Sequence, residues 1–222
     1  MKKILLLLAL AQSLAAHGAT SRLTAEVERW LRAQATVTNW CADFEQTRKL
    51  KSLTQPLTAK GRVWFSAPQS FRWELGEQTI AVRAEDNVLV IYPKLKRVER
   101  YSTRVEDAGP WGDVMALMEA GFPRTEDQLL EKFEVVSQKM TGQSVELELE
   151  PRSTAARKVM PRMRLTFDLQ GASLRSTELQ FADGSTMRND FLNPKLNTAM
   201  DRALFAPVIP PEYKVAEPLK KR

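Results

Sequence analysis

Residues Gly61–Leu75, reading G-R-V-W-F-S-A-P-Q-S-F-R-W-E-L, decide the fold. Two runs of extended character, Gly61–Phe65 and Phe71–Leu75, flank a Pro68-Gln69-Ser70 turn. Proline presets φ for a tight turn, and aromatic and β-branched residues suit a pleated strand. In the second run Phe71, Trp73 and Leu75 alternate with Arg72 and Glu74, so one face is apolar and the other charged. In the first, Ala59, Gly61, Val63 and Phe65 share a face opposite Thr58, Lys60 and Arg62, and only Trp64 breaks the alternation. A hairpin over an ordinary hydrophobic core accounts for this pattern as it stands.

The same logic extends in both directions. Upstream, Leu23, Val27, Trp30, Leu31 and Gln34 recur at helical spacing, and Glu26 and Glu28 suit the positive end of the dipole. The spacing predicts a helix over about Thr24–Ala35. It predicts a strand over Val37–Leu50, with Trp40, Ala42, Phe44 and Gln46 on one face. Downstream, Thr79–Ala84, Val88–Tyr92 and a charged Val98–Ser102 read as short strands between turn signals. Gly109–Ala120 changes period: Trp111, Val114, Met115, Leu117 and Met118 form a helical stripe stopped by Gly121-Phe122-Pro123. Thr125 caps a shorter helix reaching Leu129, Leu130 and Phe133. The second half returns to strands, with Arg152–Lys158 as a basic loop, an Asp183-Gly184 turn, and a short helical segment over Leu196–Leu204.

The expected fold is mainly β (α+β), an incomplete, strongly curled antiparallel barrel. It has about ten or eleven strands, and three short helices close a hydrophobic cavity; so long a sheet curls rather than staying flat. The proline- and lysine-rich tail from about Pro207 is expected outside the core.

Residues 1–18 read as a signal peptide: Met1-Lys2-Lys3, an apolar Ile4–Leu14, and small residues for cleavage between Ala16 and Ala19. Residues 19–222 then form a single domain. Cleavage removes Lys2, Lys3 and His17, lowering the formal charge from +6 to +4 and leaving no histidine. No imidazole then remains for general base catalysis or metal ligation. The mild basic excess lacks the dense clusters of nucleic-acid binding, so no nucleic-acid partner is expected. Cys41 is the only cysteine; it reads as a buried small residue, with an intermolecular disulfide as the alternative.

No nucleophile-elbow, Walker or dinucleotide motif is present, and neither cofactor nor metal is expected. A hydrolase using Asp43/Glu45 or Asp183/Asp190 is the enzymatic alternative, opposed by the reading of these groups as solvated strand-face charges. The surplus of large apolar residues beside lid-like helices, Trp73, Trp111, Met115, Met118 and Phe122, fits a cavity for an apolar ligand better.

Trp40-x-x-x-Phe44-x-Gln46, Gly61-x-Val63-Trp64 and Pro68-x-x-Phe71-x-Trp73 together resemble the periplasmic outer-membrane lipoprotein carrier family, LolA. Asp86-Asn87-x-x-x-x-Tyr92-Pro93 and Asp201-x-x-Leu204-Phe205-x-Pro207 extend the resemblance over nearly the whole mature chain. It implies a monomeric periplasmic carrier, not an enzyme, that shelters the acyl chains of lipoproteins. Its partners would be an inner-membrane lipoprotein-releasing ABC transporter and an outer-membrane receptor. The cavity and lid would then be lined by Trp40, Phe44, Val63, Phe65, Phe71, Trp73, Ile91, Trp111, Met115, Met118 and Phe122. The family usually has arginine just before the central proline, as a latch to the lid. Here that position is Ala67, with Arg62 and Arg72 as neighbouring substitutes. A related carrier of a free lipid or glycolipid, serving a dedicated exporter, is the alternative.

Overall fold

The computed structural model describes residues 23–84, 86–103, 125–171 and 173–218. The expected leader and the Gly109–Ala120 stripe lie outside them. The chain enters through helix α1 (Ala25–Ala35), which buries Val27, Trp30 and Leu31 and places Glu26 and Glu28 in its first turn. Burying each such side chain contributes roughly 1.5–3 kcal/mol, which holds a helix too short to persist alone.

Strands β1 (Asn39–Lys49), β2 (Leu57–Ser66), β3 (Ser70–Leu75), β4 (Thr79–Ala84), β5 (Asn87–Tyr92) and β6 (Arg97–Ser102) follow as a meander. Helix α2 (Glu126–Lys132) then leads into β7 (Phe133–Thr141) and β8 (Ser144–Pro151). Thr125 caps α2 as expected, its hydroxyl accepting from the Gln128 N–H at 3.2 Å. Helix α3 (Thr154–Val159) precedes β9 (Arg162–Asp168), β10 (Leu174–Gln180), β11 (Thr186–Leu196) and β12 (Lys214–Ala216).

The twelve strands among the described residues form one open sheet in the order β12-β6-β5-β4-β3-β2-β1-β11-β10-β9-β8-β7. It is a curled, unclosed sheet with three described helices. The pairs are antiparallel except β12 with β6, which is parallel. β1 joins the two halves, pairing along its length with β2 and β11.

Three expectations need correction. Arg152–Lys158 is not simply a loop: Ser153 caps α3, its Oγ accepting from Ala156 N–H at 3.3 Å, in a helix too short for a periodic stripe. The helical segment expected over Leu196–Leu204 is instead the end of β11 and a 3-10 turn at Arg202–Phe205. The tail does not lie outside the core. Ile209 and Tyr213 pack on Leu89, Ile91 and Val98, and Lys214–Ala216 supplies the twelfth strand. Apolar residues spaced among the prolines give that segment a face to bury, which its overall composition conceals.

Candidate functional site

Register sorts the sheet into two faces. Trp40, Phe44, Val63, Phe65, Phe71 and Trp73 share the inner one, through the pairs Trp40–Phe65, Ala42–Val63, Val63–Trp73 and Phe65–Phe71. The main core lies on this side, where Trp30 of α1 stacks on Phe167 of β9 with ring centroids 4.2 Å apart. Phe44 and Trp73 meet at 4.1 Å, and Trp40 approaches Phe191 edge-on at 5.1 Å. The edge-on Trp40–Phe191 contact suits the quadrupoles of the two rings.

The two halves of this face differ in cover. Leu147, Leu149, Leu165 and Phe167, in the half nearest α1, are fully buried. Phe65, Phe71, Trp73 and Leu75, on β2 and β3, are only half-buried. They form a continuous apolar floor that the described residues leave partly open. At one end the floor meets a buried polar ladder: Gln46 Nε2 donates to Asn189 Oδ1 at 3.0 Å, and Asn189 Nδ2 to Thr177 Oγ1 at 3.1 Å. At its β5–β6 side stands Glu99, buried and accepting from Tyr101 Oη at 2.8 Å and Tyr92 Oη at 3.1 Å, with Arg97 also paired to it. Burial, followed by the bond to Glu99, pushes the Tyr101 hydroxyl up to about 12. Tyr92 is raised chiefly by burial, with Glu99 adding to it.

Of the residues expected around the cavity, Trp40, Phe44, Val63, Phe65, Phe71 and Trp73 come together on this face. Ile91 does not. It pairs with Ile80, whereas the inner-face line runs from Trp73 through Ala81 to Val90. Strand alternation therefore turns Ile91 outward, into the second core under Ile209 and Tyr213. Trp111, Met115, Met118 and Phe122 lie outside the described residues. Sequence reading missed Phe191 and the Glu99 cluster, and placed Trp30 on the apolar stripe of the first helix without its contact to Phe167. Phe191 was visible as an alternating strand residue, but nothing in one sequence shows that β11 crosses to pair with β1.

Arg62 and Arg72 also face outward. Arg62 lies 3.4 Å from Asp43 and over the Trp64 ring at 5.4 Å. Arg72 bonds Glu74 at 2.6 Å and donates to the Leu204 carbonyl at 3.1 Å. Neither is a substitute latch on the inner face. Ala67, half-buried in the β2–β3 turn, gives its N–H to Thr38 O at 2.8 Å.

The outer face of the second half is a lattice of ion pairs. Arg162 meets Glu150 at 2.7 Å, Arg164 meets Glu178 at 3.1 Å, and Arg188 meets Asp190 at 2.7 Å. A hydrogen bond from Arg157 is the leading cause that lowers Glu150. Three of the four carboxylates considered for catalysis, Asp43, Asp183 and Asp190, are similarly engaged with other partners. Asp43 faces Arg62 and Asp190 faces Arg188. Asp183 is lowered chiefly by the Ser185 hydroxyl at 2.6 Å. This is the electrostatics of a strand face rather than of an acid–base pair.

An open curled sheet with an apolar inner face defines a binding scaffold. The chain belongs to the outer membrane lipoprotein carrier protein LolA family, whose model matches residues 35–208. No curated protein matches it in sequence. Among solved structures it is similar to an uncharacterized conserved protein from Thermus thermophilus, at 12% identity and a TM-score of 0.51, covering 88% of this chain and 99% of that one. A LolA superfamily protein from Nitrosomonas europaea aligns at 10% identity and a TM-score of 0.41, over 80% and 96% of the two chains. The Pseudomonas aeruginosa MucA/MucB complex aligns at 16% identity and 0.42, over 82% of this chain and 60% of that one.

Proposed function

We propose that this protein is a periplasmic carrier that shelters the acyl chains of lipoproteins between an inner-membrane releasing transporter and an outer-membrane receptor. The observation that carries this reading is the half-buried floor of Phe65, Phe71, Trp73 and Leu75 on the inner face of an open sheet. Each methylene withdrawn from water contributes roughly 0.8 kcal/mol, so a long acyl chain costs on the order of 10 kcal/mol to leave exposed. A carrier must offset most of that cost and still release its cargo. An open, partly covered apolar face suits both demands better than a sealed core.

Ala67, where the family usually has its latch arginine, supports a second reading: a carrier of free lipid or glycolipid. Mass spectrometry of ligands co-purifying with the mature protein separates the two. Triacylated peptides are expected under the first, free lipids alone under the second. A protein recovered without acyl ligand, and unable to take up a fluorescent acyl probe, overturns both.

A further inference from the structure

The tip of the β1–β2 hairpin mixes exposed cations with three leucines, two of them exposed. Arg48, Lys49 and Lys51 alternate with Leu50, Leu53 and Leu57 over R-K-L-K-S-L-T-Q-P-L. Leu53 is 47% and Leu57 49% exposed. Beside the tip is a groove of about 430 Å³, walled by Arg48, Leu50, Lys158, Val159 and Phe181 among others. Asp183, the carboxylate on this wall, is bound by the N–H and hydroxyl of Ser185. Arg48, Lys49 and Lys158 have no ion-pair partner among the described residues, and Lys51 feels Asp183 only through space, without an ion-pair contact, whereas Arg157, Arg162, Arg164 and Arg188 on the nearby sheet face are all paired.

We propose that this tip is a peripheral docking surface for an anionic phospholipid bilayer. Single exposed leucines are ordinary, but leucines interleaved with cations at one hairpin end combine the two attractions of a membrane interface. The ammonium and guanidinium groups meet lipid phosphates, and the leucines enter the acyl boundary. The charge complementarity argues for lipid over an uncharged apolar partner. Antiparallel register puts the tip at the opposite end of the strands from the Ala67 turn. Docking therefore leaves that end of the inner face clear, and it does not depend on what the inner face carries.

The test is flotation of the full mature chain with phosphatidylcholine vesicles, with and without phosphatidylglycerol. The protein is expected to float with the anionic vesicles only, and less so as salt is added. Each cation near such a surface strengthens binding about fivefold, so Lys49→Gln with Lys51→Gln should weaken it about 25-fold. Leu53→Ser with Leu57→Ser should remove the binding that survives added salt. All four side chains are exposed, and circular dichroism checks that the fold is kept. Failure to float, equal flotation with pure phosphatidylcholine, or unchanged flotation of the glutamine variant overturns the proposal. So does crosslinking of the tip to a protein while vesicles stay unbound. A chain that carries no acyl cargo still floats, so the two readings fail separately.

Discussion

The ring of Phe44 lies over the backbone of Gly61, its register partner on the neighbouring strand. A Cβ at Gly61 would collide with that ring and with the Glu74 carbonyl oxygen. The aromatic floor thus depends on a missing side chain: Phe44 reaches Trp73 on β3 by crossing β2 where β2 has nothing to put in its way.

Gly61→Ala therefore forces either the ring or β3 to move. The ring is a side chain and can shift, but the carbonyl is part of the strand. Overpacking of this kind costs about 1–3 kcal/mol. Urea denaturation should show a lower midpoint, with loss of the near-ultraviolet signal of the Phe44–Trp73 contact. An unchanged midpoint would mean that the close approach is not a constraint.

Much of this was legible in the sequence, because period-2 alternation in Trp40–Gln46 and Phe71–Leu75 reports directly which side chains share a face. Less legible was which face each later strand presents. Ile91 and Val90 are both apolar, so alternation alone could not decide, and only pairing with Ala81 puts Val90 inward. The tail was missed for a related reason. Ile209 and Tyr213 sit among prolines and charges, and their burial depends on an apolar outer face on β5 and β6 that the sequence does not reveal as uncovered.

Tyr101 ties alkaline stability to Glu99. Its folded-state value is raised to about 12 against an ordinary value of 10.0. The folded protein therefore holds this proton more tightly than the unfolded chain. Its contribution is fully present below about pH 10 and is lost as pH rises toward 12. Thermal melts of the wild type should fall through that window, and Tyr101→Phe should fall less steeply. Parallel pH profiles would show that other groups dominate alkaline unfolding.

Arg72 makes a related point about the outer face. Its guanidinium links β3 to the C-terminal segment through the Leu204 carbonyl. A hydrogen bond from a charged group contributes roughly 1.5–3 kcal/mol, so Arg72→Met should lower stability by an amount of that order. Because the side chain points away from Trp73, the rate of uptake of a fluorescent acyl probe should be unchanged. Slower or faster uptake at constant fold would show that Arg72 does govern entry.

The last prediction concerns Ala67. Arg62 and Arg72 are committed on the outer face, so neither guanidinium replaces the family's latch. Ala67 offers only its N–H, and that already goes to Thr38. An arginine here would bring up to five donors to the end of the strands where β2 turns into β3. One charge-assisted bond gained there, at about 1.5–3 kcal/mol, corresponds to a factor of about ten or more in an equilibrium between bound and free side-chain states. Ala67→Arg is therefore expected to slow acyl-probe uptake by about tenfold or more while leaving the circular dichroism spectrum unchanged. The Ala67 N–H bond to Thr38 is a backbone contact and is retained in the variant. Equal or faster uptake by Ala67→Arg would show that closure in this chain does not pass through that position.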